Sequence, residues 1–485
     1  MNGMTGMTGM SGMSGMTGMS GMTGMSGMSG MSGPVERTQW GGVADRRGRS
    51  AGRFRIDHDD GAFWLIDPDG GRFLSKGVNT VRFDQDEIQG TKDVPYAETC
   101  WRKYGGIAGW RIAVARRLAG WGFNTLGSWS DEAVAEAGPT LAIAPNLDLG
   151  LSFAWAKNKQ NELAPRQEFP DIFDPAFEAH VTQRARDKCS ARASDANILG
   201  WFTDNELRWG PDWRGADELL TLFLNLTRGT PGRRAALDWL RQRHPDITSF
   251  NASWHSTAQT WNGLGTIARF APPYRREPPY LRDAAAELAA NRADPARAAF
   301  CADCDDFAAL VAERYFALTA AGLRAADGNH LILGSRFAYP PSDAIVTAAA
   351  RHVDVVSFNC YDPNPANALA IYERCGKPLL IGEFSFRGAD SGLPNTRGAG
   401  PVVANQAARA AAFGAYVTTA LKHPHVVGYH WFEHADQPAA GRFDGENSNF
   451  GTVSIEDRVY VELTTTMAEM NASAERLHAA ATMEA

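Results

Sequence analysis

From Arg53 onward the chain alternates short apolar runs with longer stretches of helical periodicity. Phe54-Arg-Ile-Asp57 and Ala62-Phe-Trp-Leu-Ile-Asp67 place apolar residues at every second position, the pattern of half-buried strands. Asp67-Pro-Asp-Gly70 supplies a turn with proline second. Together these predict a short β-hairpin leading into a first parallel strand at Phe73-Leu-Ser-Lys-Gly-Val-Asn79. Seven further apolar runs follow: Gly122–Leu126, Leu141–Ala144, Ile198–Phe202, Leu331–Leu333, Val353–Phe358, Leu379–Ile381 and Val426–Trp431. Helical stretches separate them, so the order is that of repeated βα units and a parallel sheet. The expected fold is α/β, a (β/α)8 TIM barrel preceded by the hairpin. Residues 207–329 form a large insertion after the fourth strand, helical in pattern and broken by Pro272-Pro273 and Pro278-Pro279. Insertions there sit on the C-terminal face of such a barrel, so this one is a candidate to shape a cleft or to mediate homo-oligomerisation.

Before Arg53 the pattern changes. Residues 1–33 repeat a Gly-Met-Ser/Thr triplet with glycine at every third position. Without proline until Pro34 the repeat does not encode a collagen-like helix. Lacking a basic block followed by an apolar one, it does not read as a signal peptide. A disordered low-complexity tail or an over-extended start site is the expectation. The organisation expected is therefore 1–52 tail and linker, 53–470 a single barrel domain, and 471–485 a C-terminal tail.

Composition narrows the function. The formal net charge is −7 and no Lys/Arg block stands out, so nothing points to nucleic acid or an anionic membrane as partner. No apolar run reaches the roughly 20 residues of a membrane span. The six cysteines are scattered, and Cys301-Ala-Asp-Cys304 lacks a second pair at zinc-site spacing, so neither a disulfide framework, a metal nor a cofactor is expected. Fourteen Trp and 24 Phe offer flat faces suited to sugar rings, although most must fill the core.

In such barrels the C-terminal strand ends carry the chemistry. The fourth strand ends in Thr203-Asp204-Asn205-Glu206 and the seventh in Gly382-Glu383-Phe384. Two carboxylates there face each other across the barrel mouth, as glycoside cleavage requires. One protonated carboxyl gives its proton to the leaving oxygen and the other attacks the anomeric carbon, with a separation of ~5–5.5 Å for retention. Burial and a neighbouring negative charge would keep Glu206 protonated near neutrality.

Asn205-Glu206 and Glu383 at these positions resemble clan A of the retaining glycoside hydrolases. The resemblance implies Glu206 as acid/base, Glu383 as nucleophile, and Asn205 holding the sugar 2-hydroxyl. It further implies that Tyr361, in Ser357-Phe-Asn-Cys-Tyr361, hydrogen-bonds the nucleophile, and that Trp431 forms a platform under the reacting sugar. Core packing is the alternative for both aromatics. Finer matches resemble beta-agarases: Phe63-Trp-Leu-Ile-Asp-Pro-Asp-Gly-Gly-Arg-Phe-Leu-Ser-Lys-Gly-Val-Asn79, Gly122-Phe-Asn-Thr-Leu-Gly-Ser-Trp129, Phe250-Asn-Ala-Ser-Trp254 and Asp444-Gly-Glu-Asn-Ser-Asn-Phe-Gly451. Glu446 and Asn447 in the last of these are candidate substrate contacts. Arg336 is a candidate for a sugar hydroxyl or for a structural ion pair. Asn79 and Asn124 are candidates for the cleft or for fixing loop backbone, and Trp129 and Trp209 for flanking subsites or the core.

The substrate implied is an oligo- or polysaccharide of the agarose type, with a β-galactosidase or β-mannanase specificity as the alternative. Lacking a visible signal, the chain is expected to be cytoplasmic and to act on short imported oligosaccharides, with secretion the alternative if the start is misassigned. A metal-dependent hydrolase is the first rival, because His423-Pro-His425 is an HxH, but that motif precedes the eighth strand. A catalytically silent sugar-binding barrel is the other, and it would lack one of the two carboxylates.

Overall fold

The structure, a computed structural model, describes residues 36–44, 50–159, 169–278 and 281–481. The chain divides into a unit Met1–Val35, which with the repeat lies outside the described residues, and a unit Glu36–Ala485, described below.

The expected hairpin is present. Strands β1 (Arg55–Asp59) and β2 (Ala62–Ile66) pair antiparallel, and β3 (Arg72–Phe73) pairs with β2. Asp60-Gly61 joins the first two with positive φ at both residues, the two-residue turn that matches strand twist. Asp67 fixes the second turn, its Oδ1 accepting from the amides of Asp69 (3.0 Å) and Gly71 (2.8 Å).

All eight expected strands follow: β4 (Ser75–Val78), β5 (Thr125–Leu126), β6 (Ala142–Ile143), β7 (Gly200–Trp201), β8 (Leu331–Ile332), β9 (Val356–Asn359), β10 (Leu379–Phe384) and, beyond the small pair β11 (Arg387–Gly388) and β12 (Val402–Val403), β13 (Val426–Trp431). The fold is α/β with a parallel sheet in the order β6-β5-β4-β13-β10-β9, beside a parallel pair β7-β8. Parallel bridges Ile143↔Ile198 and Asn146↔Phe202 join β6 to the β7 segment, and Phe337↔Phe358 joins the segment after β8 to β9.

Side chains alternate between two buried layers, as strands covered on both faces require. Ala142, Ala144, Leu199, Leu331, Leu333, Val355, Leu380 and Val427 form one cluster with Trp40, Phe54 and Phe73 of the N-terminal segment. Their neighbours Ile143, Ile198, Ile332, Val356, Ile381 and Val426 belong to the larger cluster shared with the helices. Close strand contact depends on glycine at two positions: a Cβ on Gly77 would lie 2.3 Å from His430, and one on Gly428 2.5 Å from the Ser75 carbonyl.

Between β7 and β8 the insertion is helical, as expected, with helices such as Pro231–Arg243 and Ile247–Trp254. Its last helix, Pro295–Ala326, starts on an Asp294 cap with proline in the first turn, and it packs on Pro175–Cys189 and Asp343–His352, the helices before β7 and after β8. That helix is thus the crossover of the β7–β8 unit, and the added segment ends before it.

The expected boundaries at 52 and 470 fall inside packed structure. Trp40 is buried against Phe54 (centroids 5.5 Å apart). Helix Val461–Ala480 runs through residue 470 and packs along Gln406–Leu421. Its Glu475 receives Lys76 (2.6 Å) and Arg37 (2.9 Å), and its Asn471 accepts from Tyr429 (2.6 Å).

Candidate active site

The C-terminal ends of the strands surround a cavity of about 840 Å³. Glu206 follows β7, and Glu383 lies in β10; both line it. Four non-glycine residues at strand ends around it, Thr80, Trp129, Glu206 and Arg336, hold left-handed backbone with φ of 50–60°. Each such residue costs energy that its surroundings must hold in place, and such strain concentrates at functional sites.

Glu383 is clamped from two sides. Its Oε1 accepts from Arg336 Nη2 (2.5 Å) and its Oε2 from Tyr361 Oη (2.7 Å). Two donors, one of them cationic, favour the ionised carboxylate. Glu206 has a different setting. Its Oε1 accepts from the Asn359 amide (2.8 Å), which also reaches Asn205 Oδ1 (3.2 Å). Burial raises the Glu206 carboxyl to about 7, the Glu383 charge adds to the rise, and the Asn359 hydrogen bond opposes it. Beneath them Asp204 is pinned by the amides of Gly150 (2.7 Å) and Leu151 (2.9 Å) and by the Tyr315 hydroxyl.

Of the residues expected in the site, Asn205, Glu206, Tyr361, Glu383, Trp129 and Glu446 line the cavity. Four others do not. Arg336 is fully buried, and its guanidinium donates to Glu383, Asn205 (2.8 Å) and Ser128 (2.7 Å) between the Trp129 and Phe202 rings, outside the cavity lining. The structural alternative for it is the one observed. Asn79 is buried too. Its amide donates to the Gly382 (3.0 Å) and Trp431 (3.2 Å) carbonyls and its Oδ1 accepts from Ser128 N (3.0 Å), tying four strand ends together. Asn447 staples the loop at Thr396–Arg397 through hydrogen bonds of 3.1–3.2 Å.

Trp431, expected as a sugar platform, is fully buried in the helical layer: its indole donates to the Phe450 carbonyl (3.0 Å) and its ring packs on Phe384 and Phe413. Side chains alternate along β13, so the next residue, Phe432, faces the cavity instead. Trp209 packs among Phe169, Tyr315 and Phe316, and Asn124 fixes the Lys76 amide (2.9 Å) and the Leu74 carbonyl (3.0 Å). His423 pairs with Glu373 (2.8 Å) and His425 meets the Lys377 carbonyl (3.0 Å), both ahead of β13.

Sequence reasoning missed Asn359, Phe432, Asp86, Arg442 and the half-exposed Trp213 of the insertion, which with Tyr339 forms an aromatic ledge (centroids 5.7 Å apart). Asn359 was within reach, because it sits two residues from Tyr361 and hence on the same face of the strand end.

Parallel strands whose C-terminal ends bring two unlike carboxyls to one cavity define the class: an α/β protein with the carboxylate pair that glycoside cleavage uses. By sequence the chain is beta-agarase-like. Beta-agarase A of Vibrio sp. (strain JT0107) is 29% identical over 478 residues, covering 85% of this chain and 44% of the relative. Beta-agarase B of the same organism is 28% identical over 496 residues, covering 88% and 49%. The chain thus spans about half the length of these curated relatives. Among solved structures, an exo-beta-agarase matches with a TM-score of 0.73 at 23% identity, over 91% of this chain and 67% of that one. An agarase matches with a TM-score of 0.71 at 24% identity, over 92% and 68%. No family model matches the chain.

Proposed function

We propose that the chain is a retaining glycoside hydrolase of the clan A type, cleaving β-galactosidic bonds of agarose-type or related saccharides on a closed (β/α)8 barrel. The sheet, the β7-β8 pair and the bridges between them read as one ring of eight strands, with β13 beside β4. The observation that carries the chemistry is the unlike pair in one cavity: Glu383 held by Arg336 and Tyr361, and Glu206 raised to about 7, first by burial and then by the Glu383 charge.

In this reading Glu383 attacks the anomeric carbon while Glu206 gives its proton to the departing oxygen, so the C–O bond breaks as a glycosyl–Glu383 ester forms. Glu206, now ionised, takes a proton from water, and the water displaces Glu383 with net retention. Arg336 and Tyr361 hold Glu383 on line and stabilise it as the ester breaks. The similarity to beta-agarases supports a galactan substrate.

Products from agarose, neoagaro-oligosaccharides and aryl β-galactosides, followed by NMR, test this. The β-anomer should form first from whichever is cleaved, and Glu383→Ala should abolish turnover. An α-anomer formed first would overturn retention; equal turnover by Glu383→Ala would remove Glu383 from the mechanism. Loss of activity in Glu206→Ala should be greatest for poor leaving groups, which need protonation most.

A further inference from the structure

One wall of the cavity, built by the loops after β4 and β13, carries carboxyls that the proposed hydrolysis leaves unused. Arg442 stands at its centre. The guanidinium donates to Asp444 (3.0 and 3.1 Å) and Glu446 (2.7 Å), and it lies 3.7 Å from Glu433 and 3.9 Å from Asp86. Phe432 and Phe443 flank it, with ring centroids at 5.5 and 5.2 Å. The Gln437 amide joins Glu433 (3.0 Å) to Glu446 (2.9 Å).

These donors do not go round. Gln85 Oε1, Asp86 Oδ2 and Glu433 Oε2 are buried without a hydrogen-bond partner. Gln85 is 3% exposed and the Asp86 side chain 7%, yet both line the cavity. An unsatisfied buried polar group costs on the order of 1–3 kcal/mol; Gln85 and Asp86 line the cavity, where a ligand can bring the donors they lack, and Glu433 stands behind them outside the lining. The wall is also held still: Gln89 donates from its amide nitrogen to the Gly441 carbonyl (2.9 Å), and the Gln85 side chain to that of Ala435 (2.9 Å).

Four carboxyls around one guanidinium exclude an anion. Among the described residues no three such groups are arranged to hold a metal ion. Sugar hydroxyls fit, because each both donates and accepts. Burial raises Asp86 to about 6, so near neutrality it accepts as a carboxylate, and burial also raises Glu433 behind it, favouring a protonated carboxyl that can donate. The wall adjoins Glu383, whose charge reaches Glu446, whereas the Trp213–Tyr339 ledge follows the strands on the Glu206 side.

We propose that Gln85 and Asp86, backed by Glu433 and Arg442, form a subsite that reads the hydroxyls of a neutral sugar ring on the nucleophile's side of the cleft. Only the assignment of that side rests on the glycosidase reading. Calorimetric titration of neoagarotetraose tests the subsite, in wild type and, where turnover interferes, on a Glu206→Gln background. Adding Asp86→Asn should weaken binding at pH 7 ten- to a hundredfold in a variant that still unfolds cooperatively, as expected for a lost charge-assisted hydrogen bond. A ligand-side arm needs no variant: a sulfated galactan oligosaccharide of equal length should bind the wild type at least tenfold more weakly. Unchanged affinity in Asp86→Asn, equal affinity for the sulfated ligand, or no binding of neoagarotetraose would each overturn the subsite. Asp86-dependent binding without any turnover by wild type would instead remove the glycosidase reading and leave the subsite standing.

Discussion

Glu206 and Glu383 are the same residue type joined through a short relay of hydrogen bonds, and their neighbours set them to different tasks. A cation and a phenol donate to Glu383, while Glu206 has one neutral amide and a buried setting. The resemblance already implies this division from the sequence; what the sequence does not show is the part of Arg336 and Asn359 in it, since they arrive from other strands. Asn359 is where the difference can be tuned. Its amide donates to the ionised form of Glu206 and so opposes the rise that burial and the Glu383 charge produce. Removing it in Asn359→Ala should raise the Glu206 carboxyl further above about 7. As Glu206 must be protonated to act as the acid, the basic limb of kcat/KM should move to higher pH. A limb that stays or moves down would show that another group sets it.

At the scale of the element, strand positions were legible because eight apolar runs punctuated by helical stretches leave few alternatives. What was misjudged is parity on β13. Val426-Val-Gly-Tyr-His-Trp431 is apolar on both faces, so the pattern alone does not say which face turns inward. Contacts decide it: His430 sits against Gly77 and bonds Ser75 (2.8 Å), which fixes His430 inside and Trp431 outside. Phe432, two residues from His430, then inherits the cavity. The two aromatics should therefore separate on substitution. Phe432→Ala is expected to raise KM several-fold and, because the ring is buried against Phe450, to lower stability as well. Trp431→Phe should leave KM near wild type and lower stability by ~1–3 kcal/mol, for the lost ring volume and the lost bond to Phe450. Urea unfolding and steady-state kinetics on both variants check this; a larger KM effect for Trp431→Phe would restore it as the sugar platform.

Across the whole molecule, motif spacing indicated where the site lies, but its walls come from loops that meet only in three dimensions. Asp86 and Arg442 are remote in sequence, and no local pattern announces their contact. The same convergence buries many titratable groups, with a consequence for stability. Burial, the first cause in each case, raises Asp204 and Glu206 to about 7 and Asp86 and Asp436 to about 6. Between the ordinary carboxylate range and these values the folded chain binds protons that the unfolded chain has released, so stability falls as pH rises through about 6–7. His430 and His434, lowered to about 3 chiefly by burial, act in the opposite sense: their contribution is complete above about 6.5 and is lost as pH falls toward 3. Unfolded histidines still release protons just above pH 6.5, so the carboxyl contribution dominates only from about pH 7. The Tm should therefore drop between pH 7 and pH 8, and Glu206→Gln, with no proton to lose there, should show a shallower drop. Calorimetric scans at half-unit steps measure it, and a Tm that is flat or rises over that interval would show that these buried carboxyls titrate elsewhere.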